Sequence, residues 1–228
     1  MYLYKVCSHS GCPRHPISAV DDNGELVECS DFCFKHTPNP ELAMEKLTNY
    51  IKTHDKIIGM NIPGITLVGN ILADKRFYGC NFSNCFLSDI KTENLRIRMS
   101  VFDFAVFTDC NFSKSNIQFS SFAGAKFIHV LFTGSELIQN NFSGLESIQS
   151  AFDDSDLYNS RFIKASLVDT SIRNCNIKNT IFTDFQHQNV SFRMSNTNEA
   201  IFDDKGSALF TGRKIVDADI EISGASQS

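Results

Sequence analysis

The side chains best suited to chemistry crowd the first 36 residues. Cys7-Ser-His-Ser-Gly-Cys12 supplies one pair of thiols, and Cys29-Ser-Asp-Phe-Cys33-Phe-Lys-His36 adds two more thiols and an imidazole. Soft thiolates and imidazole in two paired clusters are the donor set of a closed tetrahedral Zn²⁺ site. From the residues alone, either Cys29 or His36 could complete the set, and an all-cysteine site is the alternative. His9 and His15 read as surface residues. The competing reading is four unconnected cysteines in a loop-rich leader. Against it, Gly11, Pro13, Pro16 and Gly24 leave this segment little core of its own, so a metal would explain how it folds. Four protein ligands leave no open position for an activated water, so such a metal is structural.

The elements behind this leader follow one rule. Every fifth residue from Ile62 to Phe202 is Phe, Leu or Ile at 25 of 29 positions, and 14 of the chain's 21 Phe fall there. Neither a helix nor a strand alone produces a period of five. Two residues before each centre the chain prefers small groups, among them Cys80, Cys85, Ala105, Cys110, Ser115, Ser120, Ser135, Ser155 and Ala165. Asn or Asp often precedes the centre (Asn81, Asn111, Asn141), and Ser or Thr often follows it (Ser83, Thr108, Ser143). The four cysteines of this region, Cys175 included, all take the small position and read as compact core fillers.

This pattern resembles the pentapeptide-repeat family, over roughly residues 60–204. The resemblance implies an all-β solenoid, a right-handed quadrilateral β-helix with four quintets per coil and the centre and its minus-two neighbour pointing inward. About seven coils at the ~4.8 Å strand spacing make a rod of roughly 34 Å. A second period of 20 supports the four-sided coil independently: Phe82, Phe102, Phe122, Phe142, Phe162, Phe182 and Phe202 form one column. A neighbouring column is aliphatic after its first member: Phe77, Ile97, Ile117, Leu137, Leu157, Ile177. Thr92, Ser147, His187 and Thr197 break the rule. A bulge at Ser147 would let Ile148 swing inward, Thr92 and Thr197 lie near the ends of the stack, and His187 is expected to be a hydrogen-bonded interior histidine.

A solenoid must cover its open ends. Asn39-Pro40-Glu41 reads as a helix start, with a cap, Pro at the first position and an acid in the first turn. Residues 40 to about 54 are expected to form one helix over the first coil. At the other end Val216, Ala218, Ile220 and Ile222 alternate with acids and read as one further strand, before a frayed tail. The expected organisation is a zinc-binding segment (1–38), a capping helix (39–59), the β-helix (60–205) and a C-terminal strand and tail (206–228). Cys-x4-Cys followed by Cys-x2-His also resembles small bacterial treble-clef-like zinc modules, which implies Cys7, Cys12, Cys33 and His36 as ligands, with Cys29 the rival.

No nucleotide loop, kinase set, nucleophile elbow or His-Glu zinc-protease motif is present. The densest acidic cluster, Asp153, Asp154 and Asp156, takes outward quintet positions and reads as a solvated face. The expectation is no enzyme. A net charge of −5 disfavours direct nucleic-acid binding. The most apolar segment, residues 57–72, is too short and too interrupted to span a bilayer, and no export signal is legible, so a cytoplasmic bacterial protein is expected. The leading function is a protein-interaction scaffold. Its alternatives are a DNA mimic that protects a type II topoisomerase (gyrase), as in some members of the family, or a host-directed effector. Residues 60–205 carry 15 Asp+Glu and 13 Lys+Arg, whereas a duplex mimic should show a dense negative stripe. Contiguous exposed apolar surface marks an interface. Ile128, Ile148 and Val168 recur one per coil just after a centre, with Phe104, Val106 and Leu131 nearby, and would seat a protein partner or a second copy in a homodimer. Phe119, Ile138 and Tyr158 form a shorter second candidate on another side.

Overall fold

The computed structural model describes residues 5–202, apart from positions 28, 70, 71 and 93, together with Glu221–Ile222. From Lys56 onward the chain winds as a parallel β-solenoid of about seven coils. Each coil has four sides, named here by their first centres: the first side by Ile57, the second by Ile62, the third by Leu67 and the fourth by Leu72. Every rung lies in register with the residue 20 positions on. Lys56–Ile58 pairs with Arg76–Tyr78 on the first side, and Thr66–Val68 with Phe86–Ser88 on the third. The third side is a seven-stranded parallel sheet, the first a four-stranded one continued by single-residue bridges. The ladder begins at Lys56 because Ile57 already obeys the five-residue rule and is fully buried.

The centres fill the interior. On the second side, rings from Phe82 to Phe202 stack with centroids 4.8 to 5.3 Å apart and planes within 20° of parallel. Offset stacking at the strand repeat is the geometry in which aromatic quadrupoles attract. The small inward position has its own chemistry. Its hydroxyl or thiol donates to the carbonyl of the centre 23 residues earlier: Ser135 to Phe112, Ser155 to Phe132, Ser160 to Leu137, and Cys85 to Ile62. Its oxygen also accepts the amide of the preceding coil, as Ser135 does from Ser115 at 3.1 Å. Alanine at one of these positions would leave the carbonyl without this donor.

At each corner the residue two past the centre takes a left-handed backbone, φ +57° at Asn84 and +54° at Asp109. Asn and Asp tolerate this conformation better than other side chains.

Two departures from the rule resolve differently from expectation. There is no bulge at Ser147. Its hydroxyl is buried and shares a hydrogen bond with Thr170 at 3.0 Å, so a polar pair replaces an apolar centre and Ile148 stays outward. His187 is half-buried against Phe185, and its Nδ1 has no hydrogen-bond partner, so burial pushes its pKa below the usual histidine value. Thr92 lies in the second coil, near the start of the stack, buried against the Asn111 carbonyl. Thr197 opens a short 3-10 turn, Thr197–Glu199, where the regular coil stops.

The helix Pro40–Thr53 caps the first coil. Asn39 Oδ1 accepts the Leu42 amide at 3.0 Å, Pro40 occupies the first turn, and Leu47 and Ile51 are buried under it. It is the single α-helix among the described residues. Before it, a hairpin pairs Ala19–Val20 with Leu26–Val27. Ile17 joins the main core, and Ser18 exchanges hydrogen bonds with the Asn61 backbone at 2.7 and 2.8 Å. Glu221–Ile222 pairs antiparallel with Val190–Ser191, while Val216, Ala218 and Ile220 lie outside the described residues.

Candidate metal centre and binding faces

Cys7 and Cys12 flank a tight turn, and Cys33 and His36 lie in a second one, where the His36 amide donates to the Cys33 carbonyl at 2.9 Å. The Cys33 amide donates to Cys7 Sγ at 3.4 Å, which ties the two turns together. The ligand atoms of Cys7, Cys12, Cys33 and His36 then lie within 4.8 Å of one another, with Cys7 and Cys33 buried. Cys29 stands outside this group. Among the described residues no other cluster of three or more such donors forms.

The spacing decides what the group could hold. Zinc bonds of ~2.3 Å to sulfur and ~2.0 Å to nitrogen put tetrahedral neighbours ~3.8 Å (S···S) and ~3.5 Å (S···N) apart. Cys12 Sγ and Cys33 Sγ are 3.8 Å apart, and His36 Nδ1 lies 3.4 Å from Cys7 Sγ and 3.5 Å from Cys33 Sγ. The donor set fits a tetrahedral thiolate–imidazole ion. Burial opposes ionisation of Cys7, yet the amides of Cys33 and His9 and the side chains of His36 and Cys33 outweigh it and bring its thiol down to about 6. His9 is exposed but stacks on His36, centroids 3.8 Å apart, and so walls one side of the cluster. His15 is exposed.

The cysteines of the coil behave oppositely. Burial pushes Cys80 and Cys110 up to about 11, and Cys85 and Cys175 up to about 12. They are inert fillers at neutral pH.

The outward positions carry the rest of the site chemistry. On the third side Ile128, Ile148 and Val168 pair in register and form one half-buried column. Val106 lies on the same sheet, in the column two residues over, beside Phe86. Phe104 stands at the adjoining corner, 64% exposed, with its ring over Gly124. A Cβ at Gly124 would come within 2.6 Å of that ring, so glycine makes the shelf on which Phe104 rests. Leu131 falls beyond the next corner, on the fourth side. Val68 and Phe86, which sequence reasoning did not single out, extend the apolar surface toward the helix, 56% and 42% exposed. Phe119, Ile138 and Tyr158 lie on the first side and its corner. Met99 joins Phe119 there, in an open groove of about 500 Å³ that also takes in Gln139, Asn159 and Arg161. Met99, Phe104 and Phe119 hold φ of +50°, +58° and +55°, a backbone that bulky side chains rarely adopt.

The acidic cluster is structural. Burial opposes ionisation of Asp153, but Arg173 binds it through Nε at 3.0 Å and Nη2 at 2.6 Å and holds its carboxyl below the usual range. Asp154 and Asp156 accept from Asn174 and Asn176, one coil on.

No helix among the described residues is long and apolar enough to cross a membrane. No family model matches the sequence, and no curated protein does. Among solved structures, the chain is similar to a pentapeptide repeat protein, Rfr23, from the cyanobacterium Cyanothece 51142. The identity is 14%, over 71% of this chain and 100% of that one, with a TM-score of 0.40. It is also similar to HetL, a pentapeptide repeat protein involved in heterocyst differentiation regulation, from the cyanobacterium Nostoc sp. strain PCC 7120 (13% identity, 65% and 87% of the two chains, TM-score 0.30). A third is QnrB1, a plasmid-mediated fluoroquinolone resistance protein (14% identity, 64% and 78%, TM-score 0.28).

Proposed function

We propose that this chain, a pentapeptide-repeat β-helix, is a non-enzymatic scaffold that docks a protein partner on its third side. The observation that carries the reading is the in-register column Ile128–Ile148–Val168 on a sheet seven strands wide, flanked by exposed Phe104, Phe86 and Val68. Apolar side chains repeated at the strand spacing, with apolar neighbours in the adjoining column, favour an extended apolar contact. Charge speaks less for a duplex mimic that binds a topoisomerase, because the outward column of the first side opens with Lys56, Arg76 and Arg96.

The metal reading is Zn²⁺ on Cys7, Cys12, Cys33 and His36. The ion would cross-link the two turns of a segment that has little core of its own. The Ser18–Asn61 hydrogen bonds would pass that rigidity to the edge of the first coil.

The partner reading is tested by capture from the native cell, followed by mass spectrometry, with wild type and Ile128→Lys/Ile148→Lys side by side. Both side chains face outward, so the variant keeps its fold. A partner held by wild type and lost by the variant is the expected result. An identical set of captured proteins from both would remove the third side from the function.

A further inference from the structure

The first side carries a charge pattern with a symmetry of its own. Its leading outward column, followed rung by rung along the parallel ladder, reads Lys56, Arg76, Arg96, Asn116, Glu136, Asp156, Asn176. Three stacked cations occupy one half and two acids the other, with neutral Asn116 between. Neither half is neutralised within the chain: among the described residues none of these cations or acids makes an ion pair. Like charges directly opposite on neighbouring strands destabilise a sheet, so the column is costly as it stands. Among the described residues, two of the three buried side-chain atoms without a hydrogen-bond partner, Arg98 Nη1 and Asn116 Oδ1, also lie at the middle of this side.

We infer that the first side is an isologous interface with a second copy of this chain, the two rods lying antiparallel. A two-fold axis along strand Asn116–Gln118 sends each residue of the column to the rung equally far on the other side. Arg96 then meets Glu136 of the second copy, Arg76 meets Asp156, and Lys56 meets Asn176. Each charged pair occurs twice, as such symmetry requires. The next column follows: Tyr78 faces Tyr158, Arg98 faces Ile138, and Gln118 faces itself. Lys178, opposite Ile58, already has Glu199 at 3.1 Å and brings no unpaired charge. At the corner, Phe119 meets its own copy, which gives an exposed ring in a strained backbone an apolar neighbour.

Other occupants match half of the pattern. A polyanion would satisfy Lys56, Arg76 and Arg96 and be repelled by Glu136 and Asp156. Parallel rods would place arginine on arginine. Seven rungs with three outward positions each give about twenty residues per copy, at the lower end of a standard interface. The dimer is therefore modest in affinity and sensitive to salt, because its specificity comes from exposed charges.

Sedimentation equilibrium of the full chain tests this. Wild type dimerises at about 50 mM salt, and its dissociation constant rises at least roughly tenfold at about 500 mM. Arg76→Glu/Arg96→Glu leaves Lys56 as the column's one cation against four acids, Glu136→Arg/Asp156→Arg makes every charge in it basic, and each variant alone is monomeric. Mixing them one to one restores a dimer, now a heterodimer. Ile128→Lys/Ile148→Lys, on the other sheet, dimerises like wild type, which separates this interface from the partner-docking face. Circular dichroism checks the fold. If a charge-reversed chain misfolds, Arg96→Ala and Glu136→Ala replace it, each weakening the dimer. The inference is overturned by a wild type that stays monomeric at ~200 µM in low salt, by charge-reversed variants that dimerise like wild type, or by a mixture that stays monomeric. A monomer that binds a short DNA duplex through Arg76 and Arg96 would also overturn it.

Discussion

Phe142→Ala would empty the middle of the ring stack. Phe142 has no solvent exposure, and its ring stacks on Phe122 at 5.3 Å and Phe162 at 4.8 Å. Phe152 meets it edge-on at 5.8 Å and Phe127 at 6.4 Å. Truncating a buried Phe to Ala costs about 3–5 kcal/mol, and each lost aromatic pair adds about 0.5–1.5 kcal/mol to what area alone predicts. The ladders above and below are held by hydrogen bonds from both neighbouring coils, so the cavity has little freedom to collapse. The expected loss is therefore near the top of the range, ~4–5 kcal/mol. Urea unfolding followed by circular dichroism reads it, with m unchanged if the variant unfolds from the same coil to the same denatured chain. Phe119→Ala is the control. That ring is 52% exposed, and its loss should move stability by no more than about 0.5 kcal/mol. A loss below about 1 kcal/mol for Phe142→Ala would mean that the stack does not hold the coil together, and the packing argument fails.

Purified protein should carry about one zinc per chain by elemental analysis, with Cys33→Ser reducing it and disordering the leader while the β-helix circular dichroism persists; an ordered N-terminal segment free of metal would refute the site. Asp153 has a depressed folded-state pKa, so its contribution is present above the ordinary carboxylate value and is lost as pH falls through the folded value. Arg173→Ala should raise that pKa in a carboxyl NMR titration and reduce stability at neutral pH, with the difference from wild type vanishing in acid; an unchanged titration would show that Arg173 does not hold the carboxylate.

The interior was legible because the repeat writes each inward side chain at a fixed interval, and Phe at every twentieth residue needs no structure to be seen as a column. The departures were not, since each depends on a partner outside its own quintet. Ser147 tolerates burial because Thr170, 23 residues on, points at it. His187 lacks the hydrogen bond expected of it because nothing polar reaches its Nδ1. Four candidate metal ligands converge through a bond from the Cys33 amide to Cys7 Sγ, and Cys29, four residues earlier, falls outside that turn. On the surface, summing charge over the rod erased the separation between the arginine and carboxylate halves of the first side. Phe104 and Phe119 are hard to rank from sequence for a different reason: a corner position normally selects Asn, Asp or Gly, and sequence spacing does not reveal which ring lies over a bare backbone such as Gly124.

The two periods give this chain something like a reading frame. Removing five residues from the middle of the rod leaves every later centre pointing inward, because the interior counts in fives. The same deletion turns everything downstream by a quarter of a coil, and each outward column then continues on the neighbouring side. Ile148 would no longer follow Ile128, and Glu136 would leave the line of Arg96. Removing twenty residues shortens the rod by one storey and leaves every column straight. Insertions and deletions in such a chain therefore fall into three classes: those that break the core, those that keep the core but scramble the faces, and those that merely change the length. A surface built from columns can lengthen or shorten without being redesigned only in steps of a whole coil.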